Sequence, residues 1–162
     1  MKKLLSIAAV AALFATGAIA DTITVNGEVL AGAQVSFGNA PTGTLVGGTF
    51  AFEDATIGFT DLKLNINNID TQDVYVKTNS NNGVSIALGT TPDLSDGNGH
   101  TVPTTYALGE TAFVAETAQS LTAGTNDGSA AIANAFVTTA TPAADQVSGA
   151  YAASIAVTIA QN

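Results

Sequence analysis

Both ends of the chain, behind an apolar leader, carry alternating sequences of the kind found in β-strands. Residues 21–30 read DTITVNGEVL, and residues 151–159 read YAASIAVTI. Apolar side chains recur at every second position, which is the period of a half-buried strand. Terminal strands offer unpaired N–H and C=O groups to other chains, so soluble proteins normally shorten, charge or cover such edges. The pattern therefore predicts a β fold whose terminal strands are available to pair with other chains.

The first 20 residues have the features of a secretion signal. Met1-Lys2-Lys3 supplies a positive start, residues 4–17 carry no charge, and Ala18-Ile19-Ala20 is a small-x-small cleavage site. These features predict export and a mature chain that begins at Asp21. The alternative is a retained membrane anchor, but the apolar run is short and rich in Ala, and no basic flank follows it.

The charge balance beyond the leader is strongly acidic. Lys63 and Lys77 are its only basic residues, against 13 Asp and Glu. Because binding nucleic acid requires clustered Lys or Arg, the composition predicts no nucleic-acid partner. The chain also lacks Cys, so its stability must come from an apolar core, sheet hydrogen bonds and contacts between subunits.

The interior of the chain has an all-β texture. Short runs of Val, Ile, Thr and Phe alternate with Gly, Asn, Asp and Pro, which favours a single sandwich domain. A turn is expected over 67–73. A polar loop, which we call the polar excursion, is expected over 91–100. The Ala-rich stretch 129–135 could be a short helix in place of part of the strand predicted over 130–138. The internal strands are predicted over 33–38, 45–52, 57–66, 74–78, 84–88, 102–108, 112–115 and 130–138, and the closing strand over 149–159.

Two interior segments give the clearest local predictions. Val74–Thr78 and Val84–Leu88 flank a five-residue connection, Asn79–Gly83, whose Asn and Gly residues tolerate positive φ. This arrangement predicts a β-hairpin. In 57–66, Leu62, Leu64 and Ile66 alternate with Lys63 and Asn65, which predicts a half-buried strand.

Three segments in order resemble a known family. They are ITVNGEV at 23–29, VKTN leading to GVSIAL at 76–88, and GAY at 149–151 followed by an alternating strand. Together with the leader, the length and the lack of Cys, they resemble the major pilins of the alternate chaperone–usher pathway. These are the colonisation-factor-antigen-like fimbriae of Gram-negative bacteria. The resemblance covers most of the chain after residue 20.

The resemblance implies an all-β, immunoglobulin-like sandwich that is incomplete and is completed by an N-terminal donor strand from the next subunit. The chain then divides into a signal peptide (1–20), a donor-strand extension (21–31) and a pilin domain (32–162). The implied function is a shaft subunit of a surface fimbrium that supports adhesion. The implied partners are identical subunits, a periplasmic chaperone, an outer-membrane usher and a tip adhesin. No cofactor and no catalysis are implied.

The donor strand can be described residue by residue. Ile23, Val25 and Val29 form the inward set, and Gly27 takes the remaining inward position. Burying each apolar side chain contributes about 1.5–3 kcal/mol, and a slip of one residue would exchange the two faces. The alternative is that residues 21–30 pair with their own domain as an ordinary first strand.

The closing strand is the predicted border of the acceptor groove. Its inward residues are Ile155, Val157 and Ile159. In the resembling family, the matching strand also pairs with the periplasmic chaperone before assembly.

A different class of function remains open at this point, a self-contained secreted sandwich that binds carbohydrate or calcium. Aromatic residues make up only 6% of the chain and Trp is absent, which disfavours a sugar site. Asp93, Asp96 and Asn98 lack the spacing of a calcium loop, so we interpret them as turn formers. His100 is the only histidine, so a Ser-His-Asp triad or a histidine metal site would have to be built around this one loop residue, and we interpret it as a solvated loop side chain.

Overall fold

The computed structural model describes residues 26–121 and 131–162, which form strands and irregular segments and contain no helix. The predicted signal peptide, 1–20, lies outside the described residues, and so do Ile23 and Val25. The strands are β1 (Ala33–Phe37), β2 (Phe50–Phe52), β3 (Asn68–Thr78), β4 (Val84–Leu88), β5 (Leu94–Ser95), β6 (Thr101–Val102), β7 (Thr104–Leu108), β8 (Thr111–Ala112), β9 (Gln119–Leu121), β10 (Ala131–Ala140) and β11 (Val157–Gln161).

These strands form two facing sheets and a small ribbon. The larger sheet has six strands in the order β2-β1-β3-β10-β7-β8, and the smaller sheet has three in the order β11-β4-β9. The pairs are antiparallel except for β1 and β2, which run parallel. The β10–β3 ladder contains a bulge between Ile132 and Phe136. β5 and β6 form a separate two-stranded ribbon.

The core lies between the two sheets and follows the period-two pattern of the sequence. Alternate residues of β3 and β4 point inward, as strand geometry requires. The side chains between them in the sequence, some of which are polar, face outward and are more accessible to solvent. The main core side chains are Val35, Val74 and Val76 from the larger sheet and Val84, Ile86 and Leu88 from the smaller sheet, all fully buried. The prediction of an all-β sandwich is confirmed, and its completion by a donor strand stays a prediction.

The predicted hairpin at 74–88 is wrong, although β3 ends at Thr78 and β4 spans Val84–Leu88 as predicted. β3 pairs with β1 and β10, whereas β4 pairs with β11 and β9. The connection Asn79–Gly83 therefore crosses from one sheet to the other. Asn79 fixes this crossing, because its side-chain oxygen accepts a hydrogen bond from the Gly32 N–H at 2.7 Å. The Thr78 hydroxyl donates to the Gly32 carbonyl at 2.8 Å.

The predicted strand over 57–66 is also wrong. Residues 53–67 form no strand, and β3 begins at Asn68, inside the segment expected to turn. Leu64 and Ile66 alternate as a strand would require, but both are about half exposed, at 50% and 49%. No described strand lies beside this segment to supply a ladder, so the alternation alone does not create a strand.

Other boundaries differ in smaller ways. β2 and β11 are shorter than the predicted strands, since β2 begins at Phe50 and β11 at Val157. Pro103 lacks an N–H and separates β6 from β7. The polar excursion contains the short ribbon β5–β6. Residues 131–135 of the Ala-rich stretch belong to β10, so the predicted strand is present there and the alternative helix is not.

One non-glycine residue with positive φ gives a stability prediction. Glu116 has φ 61° and is exposed, and its N–H donates to the Leu88 carbonyl at 2.7 Å. Glu116→Gly keeps that hydrogen bond and relieves the left-handed strain, so it should raise the free energy of unfolding by about 0.5–1 kcal/mol. Chemical denaturation measures the change.

Glu110→Gly is the matched control, because Glu110 is an exposed turn residue that is not among those with positive φ. It should not stabilise the chain. Equal stabilisation by both variants would assign the effect to lost negative charge and not to the backbone of Glu116.

Candidate functional site

A long groove of about 1010 Å³ opens between the two sheets. Its floor comes from both layers, with Phe37, Tyr106 and Phe136 on the larger sheet and Leu88 and Val157 on the smaller sheet. The lining is part apolar and part polar, and the groove is partly open to solvent. A groove between two sheets that offers both apolar and polar groups can accept an extended peptide.

Stacked aromatic rings make the floor of this groove rigid. The rings of Phe37 and Phe136 lie 4.3 Å apart and nearly parallel, at 18°. Phe52 meets Phe37 edge-on at 4.9 Å and 70°. Aromatic pairs in such geometries add about 0.5–1.5 kcal/mol beyond the area they bury. The floor is thus preformed without an occupant.

Tyr106 contributes its ring to the groove, but its hydroxyl is already engaged. The hydroxyl donates a hydrogen bond to the Pro92 carbonyl at 2.8 Å. Burial of the side chain raises its pKa above the ordinary value, with a further contribution from the negative charge of Asp93. The phenol therefore stays neutral at physiological pH and acts here as an anchor of the 92–93 loop.

Two irregular segments, 54–62 and 146–156, form the banks of the groove. Residues 54–62 make no backbone hydrogen bond with any other described residue. On the second bank, Tyr151 donates to the Val147 carbonyl at 2.7 Å and accepts from the Gln146 amide at 2.8 Å. Unpaired backbone along one bank is available to an incoming chain.

The closing strand β11 lies at the edge of the smaller sheet, where it pairs with β4 alone. Val157 and Ile155 are half-buried and line the groove, whereas Ile159 is buried in the core. The structure thus brings two of the three predicted acceptor residues to the groove. Ile155 does so from outside the strand, because 149–156 is not strand apart from an isolated bridge between Ala152 and Ser95.

The described part of the predicted donor segment makes no strand with its own domain. Residues 26–30 are exposed and irregular. Gly27 has open space around it, and Val29 is 87% exposed. Ile23 and Val25 lie outside the described residues. The alternative drawn from the sequence, an ordinary first strand over 21–30, is therefore not present over 26–30, and its residues 21–25 lie outside the described residues.

The polar loop that suggested calcium directs its carboxylates at protein donors. Asp93 accepts a hydrogen bond from the Thr104 N–H at 2.9 Å, and Asp96 accepts from the N–H groups of Asn98 and His100. These contacts are those of turn formers. Among the described residues, no group of three or more His, Asp or Glu side chains could hold a metal ion. The same residues contain no helix with the length and hydropathy of a membrane span.

The aromatic floor and the bank at 54–62 are parts of the site that sequence reasoning missed. Phe37, Tyr106 and Phe136 were each placed in strands, but nothing in a single sequence shows that these strands converge. No signal in the sequence marks the bank at 54–62, because its lack of a strand partner is a property of the fold. Neither a scan against models of known protein families nor a search of curated proteins finds a match to this chain. The resemblance to fimbrial pilins therefore stays a prediction.

The pair of Asp96 and His100 gives a prediction for pH dependence. The His100 Nδ1 lies 2.6 Å from the Asp96 Oδ2. This contact and, next, the hydrogen bond from the Asn98 N–H lower the pKa of Asp96 from 3.8 to about 2. Because the folded pKa is depressed, the contribution of Asp96 to stability is present above pH 3.8 and is lost as the pH falls toward 2. An NMR titration of the carboxyl carbon should show a midpoint near pH 2.

The variant His100→Ala tests whether the imidazole causes the lowered pKa of Asp96. Removing the imidazole removes the largest contribution, so the Asp96 midpoint should rise toward 3.8. A midpoint that stays near 2 in this variant would show that the backbone N–H groups alone set the pKa of Asp96.

Proposed function

We propose that this chain is a structural subunit that polymerises by strand exchange into a surface fibre, as the major pilins of the alternate chaperone–usher pathway do. The observation that carries the proposal is the open groove between the sheets at the end of the sandwich where β3 begins, flanked on one side by residues 54–62, whose backbone makes no hydrogen bond with other described residues. An extended segment placed there gains a hydrogen-bonding ladder and buries its alternate side chains. The exposed leading segment of a second copy has the required alternation.

The positions of the groove and the leading segment favour exchange between copies. The leading segment leaves the domain at the Thr78 end of β3, where Asn79 holds the Leu30 carbonyl at 3.0 Å. The groove lies toward the other end of β3, because Thr138, which pairs with Asp70, and Pro142 line it. A donor at one end and an acceptor at the other form a head-to-tail contact, which builds open filaments when it does not close into a ring.

The energy available from such a contact is sufficient. Ile23, Val25 and Val29 would together contribute on the order of 5–9 kcal/mol of apolar burial before ordering costs are subtracted. Domain stability is typically about 5–15 kcal/mol. A subunit that gains this much from its neighbour would be held in the fibre about as firmly as it is held in its own fold. In the cell, a periplasmic chaperone would hold the subunit until it polymerises at an outer-membrane usher.

Deletion of the leading segment is the direct test. Residues 21–162 should form multimers that migrate as a ladder on gels without boiling, and residues 31–162 should stay monomeric. The truncated chain should bind a peptide of residues 21–30, and its melting temperature should rise with peptide concentration because the peptide binds only the folded state. Sedimentation and thermal melting measure these outcomes.

Two altered peptides control for register. In Val25→Asp a charge replaces an inward side chain, and binding should weaken by about 100-fold or more, since burying an unpaired charge is costly. In Asn26→Asp the same charge stands on the outward face, and binding should change little. A truncated chain that is a stable monomer and ignores the wild-type peptide would contradict strand exchange, and the groove would then be a site for a soluble ligand.

A further inference from the structure

Asn followed by Gly occurs at three places in the chain, 26–27, 82–83 and 98–99. This pair is the one most prone to spontaneous deamidation, because Gly has no side chain to hinder the attack of its backbone nitrogen on the Asn side-chain amide. The attack requires the Asn side chain to rotate onto the next peptide nitrogen. Local structure therefore decides which of the three pairs reacts.

The pair Asn82-Gly83 is held in place at the start of β4. Gly83 is buried and has φ 75°, so its N–H is shielded from the base that must remove the proton. The Asn82 N–H donates to the Ser80 hydroxyl at 3.3 Å, and the Gly83 carbonyl accepts from the Asn162 N–H at 3.4 Å. Reaction at this pair requires the end of β4 to open first.

The pair Asn98-Gly99 lies in a turn that Asp96 holds. The Asn98 N–H donates to the Asp96 Oδ1 at 2.8 Å, and its side-chain nitrogen donates to the Asp96 carbonyl at 3.3 Å. These bonds fix the side chain that would have to rotate. The negative charge of the Asp96 carboxylate also disfavours the charge that develops on the attacking Gly99 nitrogen.

The pair Asn26-Gly27 lies in the leading segment, residues 21–30, without such contacts. Both residues are exposed and irregular, and neither makes a backbone hydrogen bond with another described residue. A Cβ added at Gly27 would meet no atom within 4 Å. Nothing that the structure describes therefore holds the Asn26 side chain away from the Gly27 nitrogen.

We propose that Asn26-Gly27 is a site of spontaneous deamidation and that its isoaspartate product can no longer enter the groove. The Gly27 nitrogen loses its proton and attacks the Asn26 Cγ, and the new C–N bond closes a succinimide ring. The bond from Cγ to the side-chain nitrogen breaks, and ammonia leaves with the proton. Water then opens the ring at either carbonyl and gives aspartate or isoaspartate. The reaction requires only water and a neutral or mildly basic pH.

The effect of isoaspartate on assembly follows from backbone geometry and rests on the proposed function. Isoaspartate runs the backbone through the former side chain, which adds a methylene between residues 26 and 27. Val25 precedes the insertion and Val29 follows it, so the two side chains can no longer both keep the inward register of one strand. Aspartate keeps the backbone spacing and places a charge on the outward face.

Strand exchange should in turn protect the site. Residues in a hydrogen-bonded ladder cannot close a succinimide ring until the ladder opens. Deamidation should therefore act on free subunits and spare assembled ones, so that aged free subunits are excluded from the fibre.

Peptide mapping by mass spectrometry tests the site in residues 21–162 at mildly basic pH. In dilute, monomeric chain, Asn26 should deamidate at least about tenfold faster than Asn82 and Asn98, and in sedimented fibres its rate should fall at least about tenfold. Asn82 and Asn98 lie outside the groove and should react equally in both fractions. Equal rates at all three pairs in the monomer would overturn the inference.

Two altered 21–30 peptides test the effect of the product on assembly. In excess, the wild-type peptide should fill the groove of residues 21–162 and stop fibre growth, as measured by light scattering. The peptide with Asn26→Asp should act alike. The peptide with Asn26→isoaspartate has the same mass and charge, but it should require about 100-fold or more peptide, because it loses apolar anchors. Equal inhibition by both would contradict exclusion from the groove.

A variant that resists the reaction tests the same effect in the whole chain. Gln cyclises far more slowly than Asn because its ring is larger, so Asn26→Gln should keep its fibre growth after ageing in dilute solution. The wild-type chain should lose growth in proportion to the isoaspartate at position 26. Asn82→Gln is the matched control and should age as the wild type does. An Asn26→Gln chain that ages like wild type would show that the lost growth has another cause.

The site and strand exchange fail separately. If the wild-type peptide stops growth but Asn26 reacts no faster than the other two pairs, the deamidation site is wrong and strand exchange stands. If Asn26 reacts fastest in the monomer and equally fast in fibres, the site is correct and the leading segment is not in a ladder. That second result contradicts strand exchange and, with it, the exclusion of aged subunits.

Discussion

The unequal size of the two sheets is the constraint on which the rest of the structure depends. Six strands form one layer, and three described strands form the other. β11 lies against β2 at one edge of the sandwich, so the additional strands of the larger sheet extend beyond the smaller sheet at its β9 edge. Phe37, Phe136 and Tyr106 line the groove from the larger sheet, pack on one another and are buried. Stacking reduces the exposure of the rings without filling the groove.

The irregular banks of the groove are the second feature that accompanies the unequal size of the two sheets. Segment 54–62 lies beside the groove without a strand partner, and the chain from 146 to 156 closes the other side through the Tyr151 and Gln146 contacts. A strand needs a ladder as well as a suitable sequence, and here the ladder stops at the edge of the smaller sheet. The groove, its unpaired bank and the exposed residues 26–30 are three separate observations. Strand exchange between copies is the proposal that accounts for all three together.

The sequence predicted this fold where local pattern was enough and failed where distant partners decide. The strand from Val84 to Leu88 was predicted to the residue, because its alternation, its Gly boundary and its burial agree. The pairing of β3 with β4 was wrong, because a short connection with Asn and Gly serves a crossing between sheets as well as a hairpin. The strand over 57–66 was wrong because these residues join no ladder with any described strand. The alternation near the end of the chain predicted that Ile155 and Val157 face inward, and both are half-buried beside the groove. The aromatic floor was not predicted, since it joins residues about 100 positions apart.

The side chain of Asn79 gives the molecule a mechanical property. It holds both the Leu30 carbonyl and the Gly32 N–H, and it stands at the start of the crossing from β3 to β4. In a fibre built as proposed, tension pulling on one subunit enters through the leading segment and reaches Asn79 before it reaches β1. Because Asn79 also follows β3 directly, its two hydrogen bonds tie the leading segment to the connection between the sheets as well as to β1.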